Sequence, residues 1–261
     1  MGSAALPFLF GVLSGALGGL MGIGGGIVLV PLLVHGLRQT QHQAQGTSLS
    51  FFIVTALVAA EPYVRADSIP WSLVAVLALG AVPGVILGSS LARRISARRL
   101  KAIFGVAMLA SAVRMLLAPP LVSDGAVWPA PFNALLGLGI GTFAGLLGVG
   151  GGILLVPVLV LAEGLGQHSA QGVSLALIVP IGIVGAVSYW KHGHATPRLL
   201  PTLFLGGALG GWIGATGAHA LRGPTLTRLF AVLLVVVAAR MIFGRVSAAA
   251  SGAASPPGGT P

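Results

Sequence analysis

The sequence predicts an all-α polytopic membrane protein built from two homologous halves, and three observations predict it. Hydrophobic residues make up 56% of the chain and charged residues 7%, against roughly 25% charged in soluble domains. Gly22–Pro31 reads Gly-Ile-Gly-Gly-Gly-Ile-Val-Leu-Val-Pro, and Gly148–Pro157, 126 residues later, reads Gly-Val-Gly-Gly-Gly-Ile-Leu-Leu-Val-Pro. The same offset relates Gln41-His42, Ala44-Gln45-Gly46 and Ser48-Leu49 to Gln167-His168, Ala170-Gln171-Gly172 and Ser174-Leu175. It also relates Gly80, Gly84 and Gly88 to Gly206, Gly210 and Gly214, Phe104 to Phe230, and Arg114-Met115 to Arg240-Met241. One unit is written twice, which organises every later reading.

In order, Leu6–Leu20 is apolar, the glycine triplet breaks it, and Ile27–Leu37 is a second, short apolar piece. Glycine costs about 1 kcal/mol relative to alanine inside a helix, so three together mark a break. Eleven residues rise about 16 Å, half of a hydrocarbon core of about 30 Å. The two pieces form either one broken crossing or a re-entrant hairpin. Ala44–Ala60, Trp71–Ala92 and Ala102–Leu117 read as crossings, with a basic loop from Arg93 to Lys101. The first repeat is thus 1–120, and 121–131 is a linker. The second repeat, 132–246, follows the same order: Phe132–Leu147 and Ile153–Ala162 around the second break, then Ala170–Tyr189, Leu199–Ala220 and Leu229–Phe243. Pro180 is expected to kink its segment. Residues 247–261 lie outside the repeat, are Ala, Ser, Gly and Pro with one Thr, and read as a disordered tail.

Charge placement chooses between topologies. With hairpins, each half has three crossings and the repeats are inverted. One face then carries Arg38, Arg93, Arg94, Arg98, Arg99, Lys101, Lys191, Arg198 and Arg245 and no acid. The other carries Arg65, Arg222 and Arg228 with all four acids. Nine cations against three exceeds the eight against four of a parallel arrangement. The positive-inside rule therefore predicts inverted repeats, each a re-entrant, Gly-broken helix pair plus three crossing helices, with both termini cytoplasmic.

The net charge of +10 is explained by these orienting loops, so no nucleic-acid partner is expected. The chain has no cysteine, hence no thiolate metal site. Gly-x-Gly-x-x-Gly alone is a weak nucleotide signal, and neither a following Gly-Lys-Ser/Thr nor an acid about 20 residues on accompanies it. No Asp or Glu falls within an expected crossing, so a carboxylate proton relay is not expected; there is no His-Glu-x-x-His or Ser/His/Asp set, so an enzyme is not expected, and neither is a metal or a cofactor.

What remains points to a small-anion site. Close packing is the plain reading of the triplets. The functional one is that helices restarting at Gly24, Gly25, Gly26, Ile27 and at Gly150, Gly151, Gly152, Ile153 point their N-termini at a ligand. Such ends carry unpaired N–H groups and about half a positive charge. Matching broken helices in two halves are where carriers hold substrate. Gln45 with Ser48, and Gln171 with Ser174, lie three apart on one helix face and can add side-chain hydrogen bonds; capping is the plainer alternative. His42, His168, Arg114 and Arg240 are accessory candidates, the arginines otherwise snorkelling. The Gly-x3-Gly-x3-Gly ridges read as helix packing within the protein or between protomers.

Gly-x-Gly-Gly-Gly-Ile-x-x-Val-Pro twice, each followed by Ala-Gln-Gly-x-Ser, resembles the sulfite exporter TauE/SafE family over residues 6–245. The resemblance implies a multi-pass carrier of the bacterial inner membrane for sulfur-containing anions such as sulfite, sulfoacetate or another organosulfonate. Alternating access around a site near the midplane is the expected mechanism, and one part sliding against a scaffold in a homodimer follows by analogy. A small-anion channel and a non-transporting membrane scaffold or sensor are the other readings.

Overall fold

The computed structural model describes residues 2–91, 97–117, 128–147, 151–191 and 196–243. Among them are ten α-helices and a 3-10 turn at Pro197–Leu199, with no strand. The helices are α1 (Gly2–Met21), α2 (Gly26–Gly36), α3 (Gln41–Arg65), α4 (Trp71–Leu91) and α5 (Ala97–Leu117) in the first half. The second half has α6 (Ala130–Leu147), α7 (Gly152–Ala162), α8 (Gln167–Lys191), α9 (Leu200–Ala220) and α10 (Gly223–Phe243). Six of them, α1, α3, α4, α8, α9 and α10, are long and apolar enough to cross a membrane. The tail and most of the expected linker lie outside the described residues.

Several helices outrun their expected bounds. α3 starts at Gln41 because Thr40 and Gln43 form a capping box: Gln43 N donates to Thr40 Oγ1 at 3.3 Å and Thr40 N to Gln43 Oε1 at 3.2 Å. Instead of ending at Ala60 it continues through Glu61, whose carboxylate pairs with Arg65 one turn on. Buried Tyr63 anchors that last turn. Pro180 lies inside α8 without ending it.

Each glycine break is a hairpin. Gly25 lies against the Ser14 carbonyl, and a Cβ on Gly36 would meet the Phe10 ring at 2.5 Å. α2 therefore runs back along α1. In the second half Gly151 lies against Ala144, and Trp128 Nε1 donates to Ala162 O at 2.8 Å, so α7 runs back along α6. The apolar pieces expected at Leu6–Leu20 and Ile27–Leu37 are, in the structure, a span-length α1 of 20 residues and a short α2 of 11.

The halves interlock. Gly11, Gly15 and Gly19 of α1 press on the backbone of Leu203, Gly207 and Gly211 in α9, while Gly206, Gly210 and Gly214 press back on Phe8, Val12 and Ala16. Gly137, Gly141 and Gly145 of α6 engage Leu77, Ala81 and Val85 of α4 in the same way, and Gly80, Gly84 and Gly88 reciprocate. In both pairs the contact register rises together, so the paired helices are parallel. Without side chains on either ridge the backbones approach closely enough for dispersion to hold them, the main attraction available in lipid. At the centre α3 and α8 are antiparallel: Gly185 packs on Leu49, Gly182 on Ile53 and Gly172 on Tyr63.

Candidate functional site

Gly22, at φ +70°, closes α1, and the Ile23 amide donates back to Gly18 O at 3.0 Å, a Schellman-type stop. Gly24 and Gly25 stay left-handed at φ +74° and +86°, a region open to glycine at little cost. Gly25 is the N-cap of α2, and Gly151, at φ +69°, that of α7; neither end has a side-chain cap. The first intrahelical bonds come from Val28 to Gly25 O and Leu154 to Gly151 O. The amides of Gly26, Ile27, Gly152 and Ile153 thus have no acceptor within their own helices, as at any helix start.

The two starts meet. A Cβ on Gly152 would lie 3.0 Å from Ile23 Cα and 3.1 Å from its carbonyl oxygen, and 2.8 Å from Ile178 Cδ1. Ile178 also reaches Gly24, and the Phe52 ring lies over Gly24 and Gly26. Phe52 and Ile178 are 126 apart, each near the middle of a 25-residue helix. The breaks therefore face each other at mid-height. Gly24, Gly25, Gly26, Gly151, Gly152 and Ile153 are all buried, with Ile27 half-buried; Gly150 lies outside the described residues.

Around this centre, Ser48 and Ser174 are 1% and 0% exposed, and neither hydroxyl has a hydrogen-bond partner among the described residues. Buried hydroxyls are nearly always paired, so two unpaired ones at symmetric positions are a feature to explain. Gln171 is held across the halves. Tyr63 OH donates to its Oε1 at 2.9 Å, and its Nε2 donates to Leu20 O at 3.2 Å. Gln45 is held reciprocally, with Tyr189 OH donating to its Oε1 at 3.2 Å.

The accessory candidates separate. His168 joins the Gln171 end, its Nε2 at 3.1 Å from Ala218 O. His42 is exposed in the first turn of α3, and Arg114 and Arg240 are exposed near the ends of α5 and α10. Sequence reasoning missed Tyr63 and Tyr189, although they are the only two tyrosines and lie 126 apart. It also missed Ser14 and Thr55, buried hydroxyls without a partner among the described residues. Their repeat counterparts are Ile140 and Ile181, so the repeat gave no signal.

A helical bundle with span-length helices, folded around two matched breaks that meet at its centre, has the architecture of a polytopic membrane transporter. The chain belongs to the sulfite exporter TauE/SafE family, which it matches over residues 7–241. It is similar to the probable membrane transporter protein YunE of Bacillus subtilis, 26% identical over 92% of this chain and 98% of that protein. A probable membrane transporter protein of Haemophilus influenzae is 29% identical over 90% of this chain and 97% of its own length. One of Xylella fastidiosa is 29% identical over 86% and 89%. No solved structure matches the chain.

Proposed function

We propose that the protein is a secondary carrier of small sulfur-containing anions, such as sulfite, sulfoacetate or another organosulfonate, working by alternating access in the bacterial inner membrane. The observation that carries this reading is the meeting of two uncapped helix N-termini at mid-height, Gly152 on Ile23. Two such ends supply amide donors and positive potential without any lysine or arginine. Ser48, Ser174, Gln45 and Gln171 add neutral donors that suit an oxyanion's acceptors. The family name supports sulfite-like chemistry for the cargo.

The antiparallel pairing of α3 with its repeat counterpart α8 supports inverted repeats. The charge distribution then favours cytoplasmic termini. Exchange of access would come from one hairpin pair moving against the other across the Gly152–Ile23 contact.

The test is thermal stability of the purified protein against sulfite, sulfate, thiosulfate, sulfoacetate, taurine, acetate and a neutral analogue. A ligand at 100 times its Kd stabilises by about 2.7 kcal/mol. A shift confined to sulfur oxyanions is expected; no shift with any of them refutes the reading.

A further inference from the structure

We propose that His168 and His219, packed beside Tyr63 at one end of the bundle, are the proton-binding site that couples anion movement to a proton gradient. This rests on the carrier reading above and adds the coupling ion to it.

The ring centroids of His219 and Tyr63 are 4.5 Å apart at 63°, and those of His168 and His219 are 5.3 Å apart at 48°. His219 Nδ1 lies 3.1 Å from Ala215 O and His168 Nε2 3.1 Å from Ala218 O. A carbonyl only accepts, so each of these nitrogens donates. The free lone pairs are then His219 Nε2 and His168 Nδ1. His219 Nε2 is buried and has no partner among the described residues. It is a vacant base in a half-buried site.

Histidine is the side chain whose charge changes within the physiological pH range, and the unpartnered Nε2 of His219 is where a proton would add. Tyr63 links it to the anion site: its ring meets His219 and its hydroxyl donates to Gln171. An anion at Gln171 together with a proton on the pair carries one negative charge fewer than the anion alone, which lowers the cost of carrying charge through an apolar bundle.

Of the titratable groups on the packed elements, His42 of α3, Tyr189 and Lys191 of α8, Arg198 of the 3-10 turn and Arg240 of α10 lie toward the far ends of their elements from the pair. α3 contributes Tyr63, Glu61 and Arg65, and Glu61 is engaged by Arg65 and by Trp212 Nε1 at 3.1 Å. Asp67 follows α3, buried Glu163 ends α7, exposed Arg222 follows α9 and exposed Arg228 lies on α10; α1 carries none. The repeat counterpart of His219 is Arg93, permanently charged. Only one half can therefore load and release a proton at this position.

The test uses the full chain in liposomes with a trapped pH dye and labelled thiosulfate, sulfite or sulfoacetate. Inward anion gradients should acidify the lumen. H219Q should lose gradient-driven uptake and acidification by about tenfold or more, while anion-for-anion exchange stays near wild type; H168Q should lose acidification as well. Loss of exchange in proportion to uptake overturns the proposal, as does E163Q abolishing acidification while H219Q retains it. Ring-15N NMR of the purified protein reads the site without any transport, with H168Q and H219Q as assignments. A His219 signal that titrates between pH 5 and 8, and moves on adding the transported anion, supports it. A ring neutral throughout overturns it. If none of the three anions moves, the carrier reading fails, and the NMR titration still decides whether the pair binds a proton.

Discussion

Replacing Tyr63 by Phe deletes one hydroxyl and nothing else. Tyr63 and Gln171 are both 0% exposed, so Gln171 Oε1 loses its 2.9 Å donor where water cannot replace it. A buried acceptor left without its partner costs about 1–3 kcal/mol. Tyr189→Phe is the internal control, because the repeat places the same bond in a wetter setting. There the bond is 3.2 Å and Gln45 is half-buried, so the loss should be about 0.5–1 kcal/mol. Equilibrium unfolding in detergent with added denaturant compares the two variants directly. Adding Gln171→Met to Tyr63→Phe removes the stranded acceptor and should recover part of the loss, though Leu20 O then loses the Gln171 amide. Equal costs for the two tyrosines, or a smaller cost at Tyr63, would refute the account of the cross-half brace.

Ser48→Ala and Ser174→Ala should leave unfolding stability unchanged or raise it by up to about 1 kcal/mol, since each removes an unpaired buried hydroxyl. Both should shrink the ligand-induced thermal shift, and a large stability loss would mean the hydroxyls are already paired. Gly25→Ala and Gly151→Ala combine a left-handed φ with contact on Ser14 or Ala144. They should lose about 1–2 kcal/mol from conformation alone, whereas Gly139→Ala, with nothing within 4 Å of its Cβ, should gain up to about 1 kcal/mol in helix propensity. Gly84→Val would drive a side chain into the Leu138 carbonyl of α6 and should abolish a stable detergent-solubilised fold, read by gel filtration. The chain lacks cysteine, so single cysteines before α1, in the 121–131 linker and after α10 can be labelled from each side. Labelling of the linker and of either terminus from the same side would reject the inverted arrangement.

The 126-residue offset made the breaks, the Gln-Ser pairs and one glycine ridge per half stand out in the sequence. The facing ridges, Gly11-Gly15-Gly19 and Gly137-Gly141-Gly145, obey the same offset and the same four-residue spacing. Which ridge meets which is a long-range fact, because α1 crosses to the other half to find α9. The hairpin was not decidable from eleven residues of apolar length; it depends on Gly25 lying back against Ser14, a contact made possible by three left-handed glycines in four positions. The α3 start was legible in Thr40-x-x-Gln43, a local signal that the second half lacks, since Gly166 and Ser169 occupy those places.

The departures from the repeat carry information of a different kind. Under the inverted arrangement proposed above, a chain with identical halves would have inward- and outward-facing states of equal energy, since one is the other turned over. Bias between them must come from unequal counterparts. Such interior pairs include Ser14 with Ile140, Thr55 with Ile181, Phe52 with Ile178 and Thr47 with Val173. Ser14 and Thr55 have buried hydroxyls without a partner among the described residues, at a cost of about 1–3 kcal/mol each, and that cost is relieved in any state that wets them. Thr55→Val keeps the shape and removes the hydroxyl, so it should favour the present conformation by about 1 kcal/mol, a shift of about fivefold in the ratio of the two states. Cysteine labelling of the two ends of the central site measures that ratio. An unchanged ratio with an otherwise stable variant would mean that the hydroxyl is equally buried in both states and sets no direction.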